Sequence, residues 1–440
     1  MKRVHIKTFG CQMNAYDSSR MADMLEKESA WQVVDEPHTA DLIIFNTCHI
    51  REKAGEKLFS ELGRLHKKVA GRSVTFAVGG CVGQAEGATI FRRAPFVNLV
   101  FGPQNYHRLP LLLERLAHGE HRICDTEPGT DSKFDALPMA RAAGGAAAIT
   151  IQEGCDRFCA YCVVPATRGR EWSRGVEEIL AEVRDVVRQG VVEIVLLGQN
   201  VNAYRGRDRQ GVEHDLALLI RQVALVDGVA RLRFVTSHPA DMTDDLVEVF
   251  ADVPQLCPYL HLPIQSGSDR TLERMGRGHT VADYLAWIDK LRRKVPKIAL
   301  ASDFIVGFPG ESDADFQQTL DLVDRVGFAH AYSFKFSPRP GTVAATLPDQ
   351  VPDSIAARRL ELLQTRLDAW QLADNQRQVG QVVELLVEGT SKRQTGELAG
   401  RTADFRRVNF PGPPEWIGRL VQVKITAGMP NSLRGQPEFE

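Results

Sequence analysis

Glu153-Gly154-Cys155-Asp156-Arg157-Phe158-Cys159-Ala160-Tyr161-Cys162 sets three cysteines on one short loop in a C-x3-C-x2-C spacing. Thiolates are soft ligands that favour iron–sulfur clusters, zinc and copper(I). Three of them can hold three irons of a 4Fe–4S cube and leave the fourth iron without a protein ligand. An open iron can bind a small molecule, and Tyr161 offers an apolar face beside it. A structural zinc site would want a fourth ligand and usually pairs one C-x2–4-C with a second such pair, which is absent here. Disulfides are the remaining alternative.

The spacing is also that of the radical S-adenosylmethionine enzymes, which this loop resembles. In them the open iron takes the amino and carboxylate groups of the cofactor, and an electron from the cluster cleaves its C–S bond to give a 5′-deoxyadenosyl radical. The flanking sequence agrees. Strand-like runs at 148–151, 193–197, 232–235, 259–262, 299–305 and 332–336 alternate with helical patterns such as 176–188, 216–226, 281–293 and 313–326. Six βα units predict a partial (βα)6 TIM-like barrel over 141–372, with its chemistry on the loops after the strands. The cysteine loop follows the first strand. Gly198, Gln199 and Asn200 end the second, with amides suited to the cofactor's amino group. Ser237 ends the third, and Gln265 lies just past the fourth, both suited to a ribose or substrate. Ile305 leads into Gly307-Phe308-Pro309-Gly310, a close backbone approach suited to an adenine. Ordinary turns and satisfied core residues are the alternative reading of each.

The first segment, 2–119, reads as a parallel α/β domain, with buried strands at 4–9, 42–45 and 74–78 and helices at 17–27, 53–68 and 109–116. Cys11, Cys48 and Cys81 follow its three strands. In a parallel sheet the carboxyl ends share one edge, where such sheets bind ligands, so three cysteines distant in sequence converge on a second three-thiolate site. Cysteine is also a common buried hydrophobe, but three at equivalent strand ends favour the site. Residues 119–146, with Pro128, Pro138 and Gly144-Gly145, lose periodicity and read as a linker, and Cys124 within it has no partner motif. Cys257 reads as a buried free thiol.

The tail, 375–438, predicts a small antiparallel β-barrel, with strands at 382–387, 407–410 and 420–425. Lys392, Arg393, Arg401, Arg406 and Arg407 are its candidate phosphate contacts, a solvated surface with nearby acidic residues in balance being the alternative reading. Net charge is −2 over 440 residues, so an RNA contact has to come from such a patch. No apolar run approaches membrane-spanning length and no signal-peptide core follows Lys2 and Arg3. A cytoplasmic protein, a monomer without membrane contact, is expected.

Together these motifs resemble the methylthiotransferases of radical S-adenosylmethionine type over nearly the whole chain. Gly10-Cys11-Gln12-Met13-Asn14, Asn46-Thr47-Cys48-His49-Ile50-Arg51-Glu52-Lys53-Ala54 and the tail run Leu386-Val387-Glu388-Gly389-Thr390-Ser391-Lys392 are similar to its tRNA-modifying branch. The resemblance implies two 4Fe–4S clusters, a radical-generating one on Cys155, Cys159 and Cys162 and an auxiliary one on Cys11, Cys48 and Cys81. It implies a C-terminal RNA-binding barrel called TRAM. It also implies methylthio insertion at C2 of an N6-isopentenyl adenosine at tRNA position 37, using two S-adenosylmethionine per turnover. A flavodoxin- or ferredoxin-type electron donor and an iron–sulfur carrier protein are the expected partners. The competing readings are the same chemistry on threonylcarbamoyl-adenosine or on a ribosomal-protein aspartate, and a non-catalytic iron–sulfur RNA-binding protein.

Overall fold

The computed structural model describes residues 1–27, 31–49, 52–127, 133–134, 137–141, 144–391 and 396–438. The chain divides into two compact units, Met1–Arg141 with Glu153–Asp156 and Cys162–Glu171, and Ala142–Gln152 with Arg157–Tyr161 and Trp172–Glu440.

In the first unit six strands, β1 (Lys2–Phe9), β2 (Trp31–Val33), β3 (Leu42–Thr47), β4 (Thr75–Gly79), β5 (Leu99–Phe101) and β6 (Ile123–Asp125), form one sheet. Their order is β2-β1-β3-β4-β5-β6, with every pairing parallel. Helices α1 (Gln12–Lys27), α2 (Glu52–Lys68), α3 (Gly80–Glu86), α4 (Ile90–Arg93) and α5 (Leu109–Ala117) complete the α/β alternation. The run Leu42-Ile43-Ile44-Phe45 is apolar at every position because β3 is covered on both faces. Ile43 and Phe45 join Leu58, Leu62 and Leu65 of α2. Leu42 and Ile44 join Met21 and Leu25 of α1 and Leu109 and Leu112 of α5. Each such side chain contributes roughly 1.5–3 kcal/mol, which fixes β3 at the sheet centre.

Two expectations change here. The stretch read as a linker from 119 contains β6, an edge strand of three residues, too short to show a period. Helix α1 begins at Gln12 rather than at 17. Its polar first turn is tied down, since Asn14 Nδ2 donates to Asn46 Oδ1 at 3.1 Å and Asn46 Nδ2 donates to the Asn14 carbonyl at 2.8 Å. Residues 128–132, 135–136 and 142–143 of the expected linker lie outside the described residues.

In the second unit β7 (Ala146–Thr150), β10 (Glu193–Leu197) and β13 (Arg231–Phe234) form one parallel triplet. β14 (Tyr259–His261), β15 (Ala299–Val306) and β16 (His330–Lys335) form another. A parallel bridge between Leu232 and Leu256 joins the halves, giving the six-stranded partial barrel. Two-residue strands β8 (Gln152–Glu153) and β9 (Trp172–Ser173) flank the cysteine loop, and β11 (Arg205–Arg207) pairs with β12 (Glu213–Asp215) as a hairpin. The intervening helices are α6 (Val164–Arg168), α7 (Val176–Arg188), α8 (Leu216–Ala224), α9 (Asp244–Asp252), α10 (Asp269–Arg274), α11 (Val281–Lys294) and α12 (Asp313–Val326). Capping boxes at Thr280–Asp283 and Ser312–Asp315 start α11 and α12.

Helix α13 (Asp353–Gln376) leads to a closed barrel of β17 (Val382–Thr390), β18 (Glu397–Thr402), β19 (Arg407–Pro411), β20 (Leu420–Met429) and β21 (Ser432–Pro437). Its pairings are antiparallel, as expected, except β19 with β21, which is parallel. The turn at 402–406 plugs the amino ends of the larger barrel's strands. Arg233, wholly buried, donates to the carbonyls of Thr402 at 2.6 Å and Ala403 at 2.5 Å and to Glu193 at 2.9 Å. Phe405 stacks on Tyr259 with ring centroids 4.7 Å apart.

Candidate functional site

The ends of β1, β3 and β4 lie side by side in the first unit. Phe9 is in register with Thr47 and Asn46 with Gly79, so Cys11, Cys48 and Cys81 follow three adjacent strands on one sheet edge. Gly10 and Gly80 adopt φ +138° and +81°. A Cβ at Gly10 would collide with the Cβ of Cys48, and one at Gly80 with Asn46 Oδ1, so both positions demand glycine. Among the described residues no three His, Cys, Asp or Glu side chains already stand at metal-ligand spacing; the thiols share an edge rather than a closed cage. Their chemistry fits an iron–sulfur group. A hydrogen bond with Cys48 is the main cause that pulls the Cys11 thiol down to about 6, with Arg168 and the Asn14 and Met13 backbone helping against burial. Such a thiol is mostly thiolate at neutral pH, the form that binds metal.

Behind this edge lies a cluster of four buried charges that the sequence did not announce. Arg168 donates to Asp17 at 2.7 Å and to Glu153 at 3.0 Å. Lys133 donates to Glu153 at 2.6 Å and stands 3.8 Å from Asp17. Two cations balance two carboxylates, the condition under which charge survives burial. Burial works against the ionised Glu153, but Lys133 and Arg168 override it and hold the carboxyl low. Burial pushes Asp17 up, and the same two cations oppose it. Arg168 stays charged, since Asp17, Cys81, Glu153 and Cys11 outweigh its desolvation. Glu153 stands two residues before Cys155 and Arg168 six after Cys162. The base of the cysteine loop is thus built into the first unit, while Arg157–Tyr161 count with the second.

At the barrel mouth Gly198, Gln199 and Asn200 form the turn after β10, braced by Gln152, whose Oε1 accepts from the Gln199 and Asn200 amides at 2.9 and 3.1 Å. A Cβ at Gly198 would stand 2.6 Å from that oxygen. Asn200 Nδ2 donates to Asp241 at 2.8 Å, and Arg157 of the cysteine loop donates to the same carboxylate at 3.0 Å. Thr236 and Gln265 both hold positive φ, +70° and +80°, strain of the kind that clusters at active sites. Asn200 Oδ1, Ser237 Oγ, His238 Nε2 and His279 Nε2 are buried without hydrogen-bond partners. Orphaned polar atoms at a barrel mouth fit a polar cofactor such as S-adenosylmethionine. Burial first, then Arg277, holds His238 at about 2 and His279 at about 4, so both rings are neutral. Tyr161 meets Phe308 edge-on at 6.5 Å, in the cluster that also holds Ile305.

Arg277 is the residue sequence reasoning passed over. Its Nη1 donates to Cys159 Sγ at 3.5 Å and its Nη2 to the Pro263 carbonyl at 2.5 Å. The preceding Gly276, at φ +68°, lies against the backbone of residues 158–160, and the Ala160 amide donates to the Met275 carbonyl at 2.8 Å. The glycine before an arginine was the available signal. Cys162 Sγ accepts from the Val164 amide at 3.4 Å. Bonds to sulfur of this kind fit a cluster ligand. In the C-terminal barrel Arg401 donates to Glu388 at 2.8 Å. Arg406 is buried and bound to Asp374, Asp404 and Asn375, so its guanidinium holds the barrel to α13 instead of facing a phosphate. Arg407 is half-buried, and Lys392 and Arg393 lie outside the described residues. Cys257 is buried and free, as expected.

Three family models match in succession: Uncharacterized protein family UPF0004 over residues 3–102, Radical SAM superfamily over 149–323 and TRAM domain over 376–437. Among solved structures, the radical S-adenosylmethionine methyltransferase TsrM of Kitasatospora setae, with cobalamin and a 4Fe–4S cluster bound, aligns with a TM-score of 0.57 at 15% identity. The alignment covers 78% of this chain and 77% of that one. The cobalamin-dependent S-adenosylmethionine radical enzyme OxsB aligns with a TM-score of 0.55 at 14% identity, over 83% and 56%. These are likenesses of fold. Fold and site together define a radical S-adenosylmethionine protein. A tRNA-2-methylthio-N(6)-dimethylallyladenosine synthase of Magnetococcus marinus is 61% identical over 99% of this chain and 100% of its own length. Proteins of the same name from Alkalilimnicola ehrlichii and Xanthomonas campestris are 50% and 49% identical, over 99% and 100% of this chain and 97% and 92% of theirs. The chain belongs to the family of tRNA-2-methylthio-N(6)-dimethylallyladenosine synthases.

Proposed function

We propose that the protein is a methylthiotransferase that converts N6-dimethylallyl adenosine at position 37 of tRNA, beside the anticodon, into its 2-methylthio derivative, consuming two S-adenosylmethionine per turnover. The observation that carries this is 61% identity, end to end, to a synthase of that name. Cys155, Cys159 and Cys162 would hold a radical-generating 4Fe–4S cluster and Cys11, Cys48 and Cys81 an auxiliary one. When bound, the first supplies the electron that cleaves S-adenosylmethionine and the second a place for the sulfur to be inserted. An aromatic C2–H is too strong and too weakly acidic for a general base, which is why the reaction calls on a radical cofactor.

The chain's own residues orient and exclude. Arg277 and the Val164 amide steady the loop thiolates. Gln152 fixes the Gly198-Gln199-Asn200 turn, which would meet the cofactor's amino group, and Ser237 and Gln265 would meet its ribose. Tyr161 and Ile305, packed with Phe308, would give the cofactor's adenine an apolar wall and help exclude water, where placement decides between coupling and side reactions. The TRAM barrel, with Arg401 and Arg407, would meet the tRNA. A flavodoxin- or ferredoxin-type donor and an iron–sulfur carrier protein complete the system, which we place in the cytoplasm as a monomer; among the described residues no helix is long and apolar enough to cross a membrane. Mass spectrometry of tRNA nucleosides with and without the gene tests the reading. Loss of the methylthio group in the deletion strain is expected, and its undiminished presence overturns the assignment.

A further inference from the structure

One face of the β14-β15-β16 triplet carries a row of aromatic rings, two of them exposed. Strand register puts His261 of β14, Ala301, Asp303 and Ile305 of β15, and His330, Tyr332 and Phe334 of β16 on one face. That face looks inward, because Phe405 of the plug packs against Tyr259 and His330 at its lower end. The opposite face of β16 is taken by α13, to whose first residue, Asp353, Lys335 is paired at 2.5 Å. Rings therefore recur at every second position along the inner face of β16. The lowest, His330, is covered by the plug. The uppermost, Phe336, meets Phe308 at 5.2 Å, and Phe308 meets Tyr161. Between them Tyr332 and Phe334 are 49% and 40% exposed.

Barrel interiors are ordinarily filled with side chains, and large aromatic faces left bare mark a binding surface. The row is not purely apolar. Asp303 is in register with Tyr332, and His261 Nε2 stands 3.3 Å from its Oδ1, which fixes the carboxylate and leaves its second oxygen to accept. The surface thus offers two ring faces, one anchored acceptor at their edge, and continuity through Phe336 and Phe308 with Tyr161 at the cofactor mouth.

We propose that Tyr332 and Phe334 form the seat on which the purine of the substrate nucleoside stacks, with its N6–H directed to Asp303 and its dimethylallyl group along the rings. This rests on the substrate proposed above. A planar base bearing one N–H donor and a short branched hydrocarbon complements such a surface in shape and in hydrogen bonding, and stacking is how proteins hold an unpaired base.

The test measures binding of the reconstituted enzyme to two anticodon stem-loops, one carrying N6-dimethylallyladenosine at position 37 and one carrying adenosine. Wild type is expected to prefer the first. Tyr332→Ala/Phe334→Ala is expected to weaken binding of both stem-loops through the lost purine stack and to lose on the order of tenfold or more of the preference, the scale of burying a short branched hydrocarbon against the rings. Tyr332→Phe/Phe334→Trp, which keeps the rings, is expected to retain it. Both rings are exposed, so truncation opens no core cavity, and an unchanged melting temperature checks the fold. Absence of preference in wild type overturns the substrate assignment and the seat with it. A preference that survives Tyr332→Ala/Phe334→Ala overturns the seat alone, and so does one lost in the ring-keeping variant.

Discussion

Replacing Arg168 by glutamine removes the guanidinium from the buried cluster with Asp17, Glu153 and Lys133. Two hydrogen-bonded ion pairs disappear, at 2.7 and 3.0 Å, and all four side chains are almost wholly buried. Removing one partner of a buried pair costs about 3–5 kcal/mol, because the carboxylate left behind keeps its desolvation penalty. Here Lys133 still faces both carboxylates, so the lower end, about 3 kcal/mol, is the expected loss. For a unit of this size that lowers the melting temperature by about 6–12 °C. Calorimetry of the full chain measures it. Asp17→Asn removes the charge that Arg168 neutralises, so the double variant is expected to recover part of the loss, with a coupling energy of about 1–3 kcal/mol. A change below about 0.5 kcal/mol in the single variant, or strict additivity in the double, would refute the claim that this cluster anchors the base of the cysteine loop.

Other expectations follow from the same geometry. Gly10→Ala forces a methyl into Cys48 and is expected to lower iron in anaerobically reconstituted protein from about eight to about four atoms per chain; retention of eight would show that the strand ends hold no cluster. Arg277→Met deletes the bond to Cys159 Sγ, and in a background lacking Cys11, Cys48 and Cys81 a spectroscopic redox titration is expected to find the remaining cluster at a more negative potential. His238, His279 and His330 are held neutral at about 2, 4 and 3, by burial first and then by Arg277 for the first two and Arg406 for the third. The unfolded chain takes up these protons below about 6.5. Stability is therefore complete above that value and falls with pH until each folded value is reached. The expected cost at pH 5.5 is about 1.4 kcal/mol per histidine, and His330→Phe should flatten the fall in melting temperature by about a third.

The long periods were legible. β10 spans 193–197, where the apolar run Ile194-Val195-Leu196-Leu197 put it, and the cysteines after β1, β3 and β4 share the edge that parallel strands require. What stayed hidden has no period. β6 has three residues. β18 and β21 are glycine-containing strands of the closed barrel that carry too few apolar positions to stand out. Lys133, Arg168 and Arg277 look in the sequence like any solvated cation, since only their distant carboxylates and sulfur make them buried. The aromatic row of β16 read only as a strand-like run, because alternation tells that one face is apolar and not whether anything covers it.

The plug at 402–406 has a consequence for reach. Arg233 grips its carbonyls and Phe405 its floor, while Arg406 ties it to the last turn of α13. The C-terminal barrel is therefore clamped, not tethered, to the strand ends and to α13. On the function proposed above, a tRNA held on that barrel would be gauged by length, since only a nucleotide at one fixed remove from it would arrive where the chemistry is done.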